Sequence, residues 1–416
     1  MNRTIADILF SSIIGDAAGY VFNGMKKNHI KAVFREITGY TDPAPALKGN
    51  MHKWKKPGLY SSISQNILLT AGCIDKRNIN IDDFIKAVKN TPEIPENEYS
   101  FFRDPGEAEK SFIYRVKNEE YGVHHFTLAC SRLLPAVLPL LLIKNEKDRL
   151  ISTVKYISLF TGSSSTIACS LLFLQIVEDL IAEKNQKILI TALNSTEKTR
   201  DKLVKTQKEI FDTGHNPDYI ISESESLVDL FRKLSANKDN SLYEKIICAH
   251  ADKKKTNSIT RASVNLPDTI LPMAVILSEL CPEPERIFNI SVNEGGASSS
   301  LTAIASAITT AYSGFQVPED LIEKLVNKKK ISALIDHIAE DKNRASIINE
   351  VYTTEPGLTI KELEEYKAKN KNIPVSKDKK KKTRKEIESE ISKHVVESWT
   401  KLDKAKWKKE RKNRNS

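Results

Sequence analysis

Two short stretches of this chain have the composition of a ligand-holding loop. The first is Gly15-Asp16-Ala17-Ala18-Gly19, at the end of an apolar N-terminal segment. The second is Gly295-Gly296-Ala297-Ser298-Ser299-Ser300, which runs straight into the apolar segment 301–312. Two glycines and three hydroxyls at a helix start can cradle an anion on free backbone N–H groups. Read singly, each stretch also has a plainer meaning: small residues that let two helices approach closely, and a serine-capped helix. Serines cluster again at 61–64 and 163–165, yet none of these clusters sits in a GxSxG elbow or has a lysine three residues on to activate a nucleophile. His124-His125 is the only histidine pair, and no Cys, Asp or Glu stands at metal-ligand spacing beside it. The sequence holds no Walker loop and no GxGxxG fingerprint.

Helices must position these residues. Apolar residues recur at i, i+3 and i+4 over 5–14, 62–73, 127–143, 150–160, 165–182, 227–234, 270–280 and 301–312. Alternating apolar and polar runs are nearly absent, so the expected fold is all-α, a compact helical bundle. The serines at 163–165 and 298–300 are expected to supply N-cap oxygens, and Pro282 and Pro284 to close the segment ending at Leu280. Residues 183–265, richer in Lys, Asn, Asp and Ser, read as a polar insertion on the outside of the bundle.

With 416 residues and 40 % apolar side chains, the chain can bury a sizeable core, which excludes global disorder. The apolar stretch 133–143 is far short of the ~20 residues a bilayer requires, so no transmembrane segment is expected. Asp7 stands where a signal peptide needs its apolar region, so secretion is not expected. Five scattered cysteines without a CxxC pair read as buried thiols, the expectation being an intracellular, reducing location, cytoplasmic or nuclear. The net charge of +10 is unevenly spread. Residues 367–416 carry 19 Lys and Arg against 7 Asp and Glu, whereas 1–366 carry 45 against 47. The basic character therefore belongs to the tail.

Taken in order, the segments resemble the ADP-ribosylglycohydrolase family. Its opening GDAxG matches Gly15 to Gly19, and its Tyr-Thr-Asp-Asp-Thr-Gln segment aligns with Tyr60-Ser61-Ser62-Ile63-Ser64-Gln65. Its Arg-Ile-Ala-Pro helix aligns with Arg132-Leu133-Leu134-Pro135, and its Leu-Thr-His with Phe160-Thr161-Gly162. Its Gly-Gly-Asp-Thr-Asp-Thr aligns with Gly295 to Ser300, followed by a small-residue helix ending at Gly314. The resemblance covers 1–335. It implies an all-helical fold that releases ADP-ribose from modified side chains using two magnesium ions, with 336–366 a connecting segment and 367–416 a basic extension outside it.

The sequence departs from the family where the chemistry resides. The metal-ligand aspartates of the two motifs are replaced by Ser62, Ile63, Ala297 and Ser299, while Ser64, Ser298 and Ser300 keep hydroxyls. Hard divalent ions need anionic oxygen, and isoleucine offers no lone pair. The glutamate that follows GDAxG aligns with Asn23, which cannot act as a general base. The histidine after Leu-Thr aligns with Gly162, whereas Asp16 is retained, to touch a ligand or to brace a helix junction. The expectation is therefore a catalytically degenerate member without catalytic residues, metal or cofactor, serving as a binding or structural module. Its former metal and ligand cleft would comprise Gly15, Asp16, Asn23, Ser61–Ser64, Gly162 and Gly295–Ser300, with an ADP-ribose-like molecule as a residual ligand. Two other readings stay open: an active ADP-ribose-releasing hydrolase with an unusual site, and an architectural subunit of a nucleoprotein assembly. In the tail, Lys379, Lys380, Lys381, Lys382, Arg384, Lys385, Lys408 and Lys409 are candidates for gripping a polyanion, whether nucleic acid, a ribonucleoprotein or an acidic protein. Ile387, Ile391, Val395, Trp399 and Leu402 form one apolar stripe among them.

Overall fold

The computed structural model describes residues 2–47, 51–75, 77–120, 127–183, 186–252, 259–341 and 345–371. Seven of its helices carry the argument: α1 (Asn2–Tyr20), α2 (Ser62–Gly72), α3 (Glu107–Lys117), α4 (Ser164–Ala182), α5 (Pro267–Leu280), α6 (Ser298–Ser313) and α7 (Ala345–Lys371). Among the described residues there is no strand, only isolated bridges such as Lys26 with Gly295. The fold is all-α. The His124-His125 pair and the tail candidates lie outside the described residues.

The centre of the body is the pairing of α1 with α6. From Ile5 to Tyr20 every residue but Asp7 is buried, and α6 is buried from Ser298 to Ala311. Helices buried all round cannot show an amphipathic stripe, which is why both read as nearly continuous small and apolar sequence. Glycines set how closely they approach. A Cβ on Gly15 would stand 2.7 Å from the Thr302 carbonyl oxygen, and one on Gly19 2.4 Å from that of Ser298. Hydroxyls stitch the seam: Ser306 Oγ donates to the Ser11 carbonyl at 3.0 Å and Thr310 Oγ1 to Ser11 Oγ at 2.7 Å. The small residues of the first glycine stretch thus serve helix contact.

Several expectations need correction. Residues 127–143 form no long helix: a short turn, Leu133–Ala136, is followed by the 3-10 helix Leu138–Leu142. Pro135 and Pro139 each lack the N–H that an α-helix would use, and residues 130–143 are buried as short turns instead, with Leu128 exposed before them. The stretch 183–265 is not a polar appendage. Its helices Ile188–Lys205, Pro217–Ala236 and Tyr243–Asp252 bury Leu203, Leu227, Phe231 and Ile247 in the same core as α1 and α4. Polar residues there mark only the outer faces of amphipathic helices. Ser163 does cap α4, accepting from Thr166 N at 3.2 Å, but the serines at 298–300 do not cap α6. That helix starts at Ser298 with Ala297 at the cap position, so the hydroxyls fall inside its first turn. Length and composition would let α4 cross a membrane, contrary to the estimate from 133–143, but 78 % of its apolar window is buried inside the body. All five cysteines are free thiols and buried.

The segment 336–366 is more than a connection. It ends the helix Lys328–Ala339 and supplies most of α7, whose Glu355, Thr359 and Glu362 are buried against the body.

Candidate functional site

Asp16 lies on the last turns of α1, fully buried, facing the start of α2. Its carboxylate accepts from Ser61 N at 2.9 Å, Ser61 Oγ at 2.7 Å, Ser64 N at 3.2 Å and Ser64 Oγ at 2.7 Å. An N-terminal helix turn presents unpaired N–H groups and a partial positive charge, and a carboxylate satisfies both. Ser61 is the N-cap itself, accepting from Ile63 N at 3.2 Å. The retained aspartate of the first glycine stretch is thus the brace that fixes α2 to α1. Both of its oxygens are occupied by protein donors.

Beside it lies a second buried node. Glu109 of α3 accepts Ser62 Oγ at 2.7 Å and Asn66 Nδ2 at 2.7 Å on one oxygen, and Gly106 N at 2.6 Å and Arg132 Nε at 3.0 Å on the other. Arg132 Nη2 donates to Ser61 Oγ at 3.2 Å and Ser62 Oγ at 2.9 Å. A guanidinium therefore stands over Ser61 and Ser62, at the motif where the resemblance places metal-ligand carboxylates. Burial opposes its charge, but Glu109, then Asp104 and Asp16, hold its pKa above the ordinary arginine value.

Above this node opens a cleft of about 1040 Å³, lined by Asn23, Lys26, Lys53, Lys55, Asp104, Arg132, Arg261, Ser263, Gly296 and Ala297 among others. Asp104 accepts Asn23 Nδ2 at 3.1 Å and pairs with Lys55. Burial pushes the Asp104 carboxyl up, but Lys55 and Arg132 outweigh that and hold it below the usual range. The second glycine stretch forms one wall. Gly295 and Gly296 both have φ of +66°, and a Cβ on Gly296 would meet the Ser263 carbonyl oxygen at 2.1 Å. The N–H groups of Gly295, Gly296 and Ala297 are spent on the carbonyls of Val292, Met25 and Ser263, so the loop is no anion cradle.

The structure brings the three motifs together. Ser298 Oγ donates to the Gly19 carbonyl at 2.7 Å, joining the second stretch to the first, and Asp16 joins the first to α2. Of the residues expected in the cleft, Asn23, Gly296 and Ala297 line it. Gly15, Asp16, Ser61–Ser64 and Ser298–Ser300 are packed inside the body, and Gly162 sits in the turn before α4, beside Thr161, which bonds the Leu128 carbonyl. Ser299 Oγ and Ser300 Oγ are buried with no hydrogen-bond partner.

Sequence reasoning missed the carboxylates that do contribute here. Glu109 has one signal, its place three residues beyond Gly106 at a helix start, where a glutamate reaches back to an N–H. Glu355 and Glu362 come from α7. Glu355 pairs with Arg103 at 2.6 Å and accepts from Gln65 at 2.8 Å and Tyr60 Oη at 2.5 Å. Glu362 accepts Tyr20 Oη at 3.1 Å and Lys56 N at 2.9 Å, and burial pushes its carboxyl above the ordinary glutamate range.

The donor set does not fit a pair of divalent cations. Among the described residues no three His, Cys, Asp or Glu side chains converge as ligands. At the motif positions stand Ile63, Ala297 and hydroxyls, and neutral hydroxyls cannot balance four positive charges. A model of the family described as ADP-ribosylglycohydrolase matches residues 2–347 of the chain. No match is found among curated proteins.

Proposed function

We propose that this chain, which belongs to the ADP-ribosylglycohydrolase family, keeps the family's helical fold as a binding or structural module without metal-dependent hydrolysis. The basic tail, 367–416, is proposed to attach it to a polyanionic partner. One observation carries the reading: Asp16, the acid retained from the motifs, has both oxygens consumed in bracing α2. The neighbouring positive charge is a guanidinium held by Glu109. Asp16 is thus satisfied by neutral protein donors and Arg132 by Glu109, an arrangement that calls for no metal ion.

The test is release of ADP-ribose from arginine- and serine-modified peptides, with and without magnesium. Neither the unmodified protein nor Ser299→Asp is expected to turn over, because one restored carboxylate leaves Ser62, Ile63, Ala297 and Asn23 in place. Magnesium-dependent turnover by the unmodified protein would replace this reading with that of an active hydrolase on an unusual site.

A further inference from the structure

A second pocket, of about 410 Å³, opens among α3 and the helices Ile81–Lys89 and Glu146–Ser158. It shares no lining residue with the cleft above Arg132. Its apolar wall is Ile81, Ile85, Phe112, Val116 and Leu159, and its charged lining groups are the half-buried Arg115 and the exposed Lys155 and Glu120. We propose that this pocket binds an amphipathic acid of the medium-chain fatty-acid class. The hydrocarbon body fills the apolar part, and the carboxylate pairs with Arg115 and Lys155. The site is independent of the glycine motifs and of whether the chain hydrolyses anything.

The walls suit an apolar body. Phe112 and Val116 are buried, and the Phe112 ring is backed by Phe84 and Phe160, with centroids 6.0 Å and 4.5 Å away. Ile81, Ile85 and Leu159 are half-buried and line the pocket with surface that the core leaves uncovered. Water finds few partners there. Thr213 Oγ1 is spent on the Ile210 carbonyl, and Ser158 Oγ on the Val154 carbonyl and His215 Nε2. Displacing such poorly held water by an apolar group is favourable. The volume lies within the ~300–1000 Å³ usual for small-molecule pockets.

Charge selects the head group. Arg115 Nη2 donates to the Leu159 carbonyl, which fixes the guanidinium beside the apolar wall. Burial lowers its pKa from the ordinary arginine value and Glu120 opposes that, so it stays a cation. Lys155 has no ion-pair partner among the described residues. His215, behind Ser158, adds no positive charge at neutral pH, because burial lowers its pKa. Two cations against Glu120 leave the pocket net positive. The polar groove alongside shares Ile81, Lys155 and Thr213, but there Asp82, Asp148, Glu209 and Asp212 outnumber Arg77 and Lys147. An anionic head is therefore held beside Arg115 and Lys155 and kept out of the groove. A guanidinium also presents paired donors that match a carboxylate.

The experiment is calorimetric titration of the full-length protein with decanoate below its micellar concentration, with acetate and decanol as comparisons. Acetate carries the head without the body, and decanol the body without the head. The variants are Lys155→Glu, on an exposed side chain, and Ile85→Trp, which fills the pocket; thermal denaturation checks both folds. Lys379→Gln/Lys380→Gln controls for attraction of the anion to the basic tail. The expected result is saturable decanoate binding at one site, no saturable heat with acetate, and decanol at least about fivefold weaker, as loss of a charged head requires. Lys155→Glu should weaken decanoate about tenfold, because an attraction becomes a repulsion at the same place, and leave decanol unchanged. Ile85→Trp should weaken both, and the tail control neither. If Ile85→Trp fails to fold, Lys155→Glu decides alone. No saturable decanoate binding, equal affinity of parent and Lys155→Glu, decanol binding as tightly as decanoate, or loss only in the tail control would overturn the proposal.

Discussion

Replacing Asp16 by alanine should destabilise the body more than any other single change in the glycine motifs. Four donors lose their acceptor. The Ser61 and Ser64 hydroxyls can rotate toward other oxygens, but the two backbone N–H groups are fixed at the start of α2. A buried donor left unpaired costs ~1–3 kcal/mol, so the two N–H groups together cost ~2–6 kcal/mol. Removing negative charge from a helix N-terminus adds ~0.5–1 kcal/mol. We expect about 4 kcal/mol for Asp16→Ala, a large share of the ~5–15 kcal/mol that holds a domain together. Asp16→Asn retains one acceptor oxygen while its NH2 meets a Ser61 hydroxyl that already accepts from Ile63 N and Arg132, so about half that loss is expected. The assay is urea unfolding followed by circular dichroism, where both variants should lower the midpoint without changing the slope. The loss should be the same in magnesium and in chelator. A cost below ~1 kcal/mol for the alanine variant, smaller than one unpaired buried donor, would refute the brace, as would a loss that appears only with magnesium.

Two further predictions concern α7. Glu355→Ala leaves Arg103 buried without its partner and should cost ~3–5 kcal/mol by urea unfolding, the range for breaking a buried ion pair. For Glu362 the folded-state pKa is raised, so the folded protein binds more protons than the unfolded chain just above the ordinary glutamate value of 4.5. Stability from this group is greatest below that value and falls as pH rises through its folded pKa. Glu362→Gln, whose single amide oxygen still accepts from Lys56 N while its NH2 can donate to Tyr20 Oη, should remove that fall in a pH series of thermal midpoints.

How much of this was legible in the sequence depends on what each residue's signal encodes. The dense apolar and small-residue content of α2, α4 and α5 reports burial directly, and the order of the glycine and serine motifs reports the family. The segment 345–371 was unreadable for a local reason. Pro356 and Gly357 interrupt its pattern, and a residue before proline is biased away from the helical region, yet Glu355 is helical because Arg103, Gln65 and Tyr60 hold its carboxylate. Proline misled in the other direction at 127–143, where apolar spacing suggested a helix that Pro135 and Pro139 break into short turns. In the site, the sequence placed Ser62, Ile63, Ala297 and Ser299 at the motif positions but gave no sign of the buried Glu109–Arg132 pair beside them. The Glu109–Arg132 pair joins residues 23 positions apart, and the Arg103–Glu355 pair residues 252 apart. Only the fold brings such partners together, and no spacing rule along one helix could have paired them.

The proposal that Asp16 braces α2 with protein donors alone and holds no metal ion is tested most directly by calorimetric titration of the full-length protein with magnesium. No saturable heat and no shift in the thermal midpoint are expected at millimolar magnesium. Two-site saturable binding, with a raised midpoint that Asp16→Asn abolishes, would contradict it.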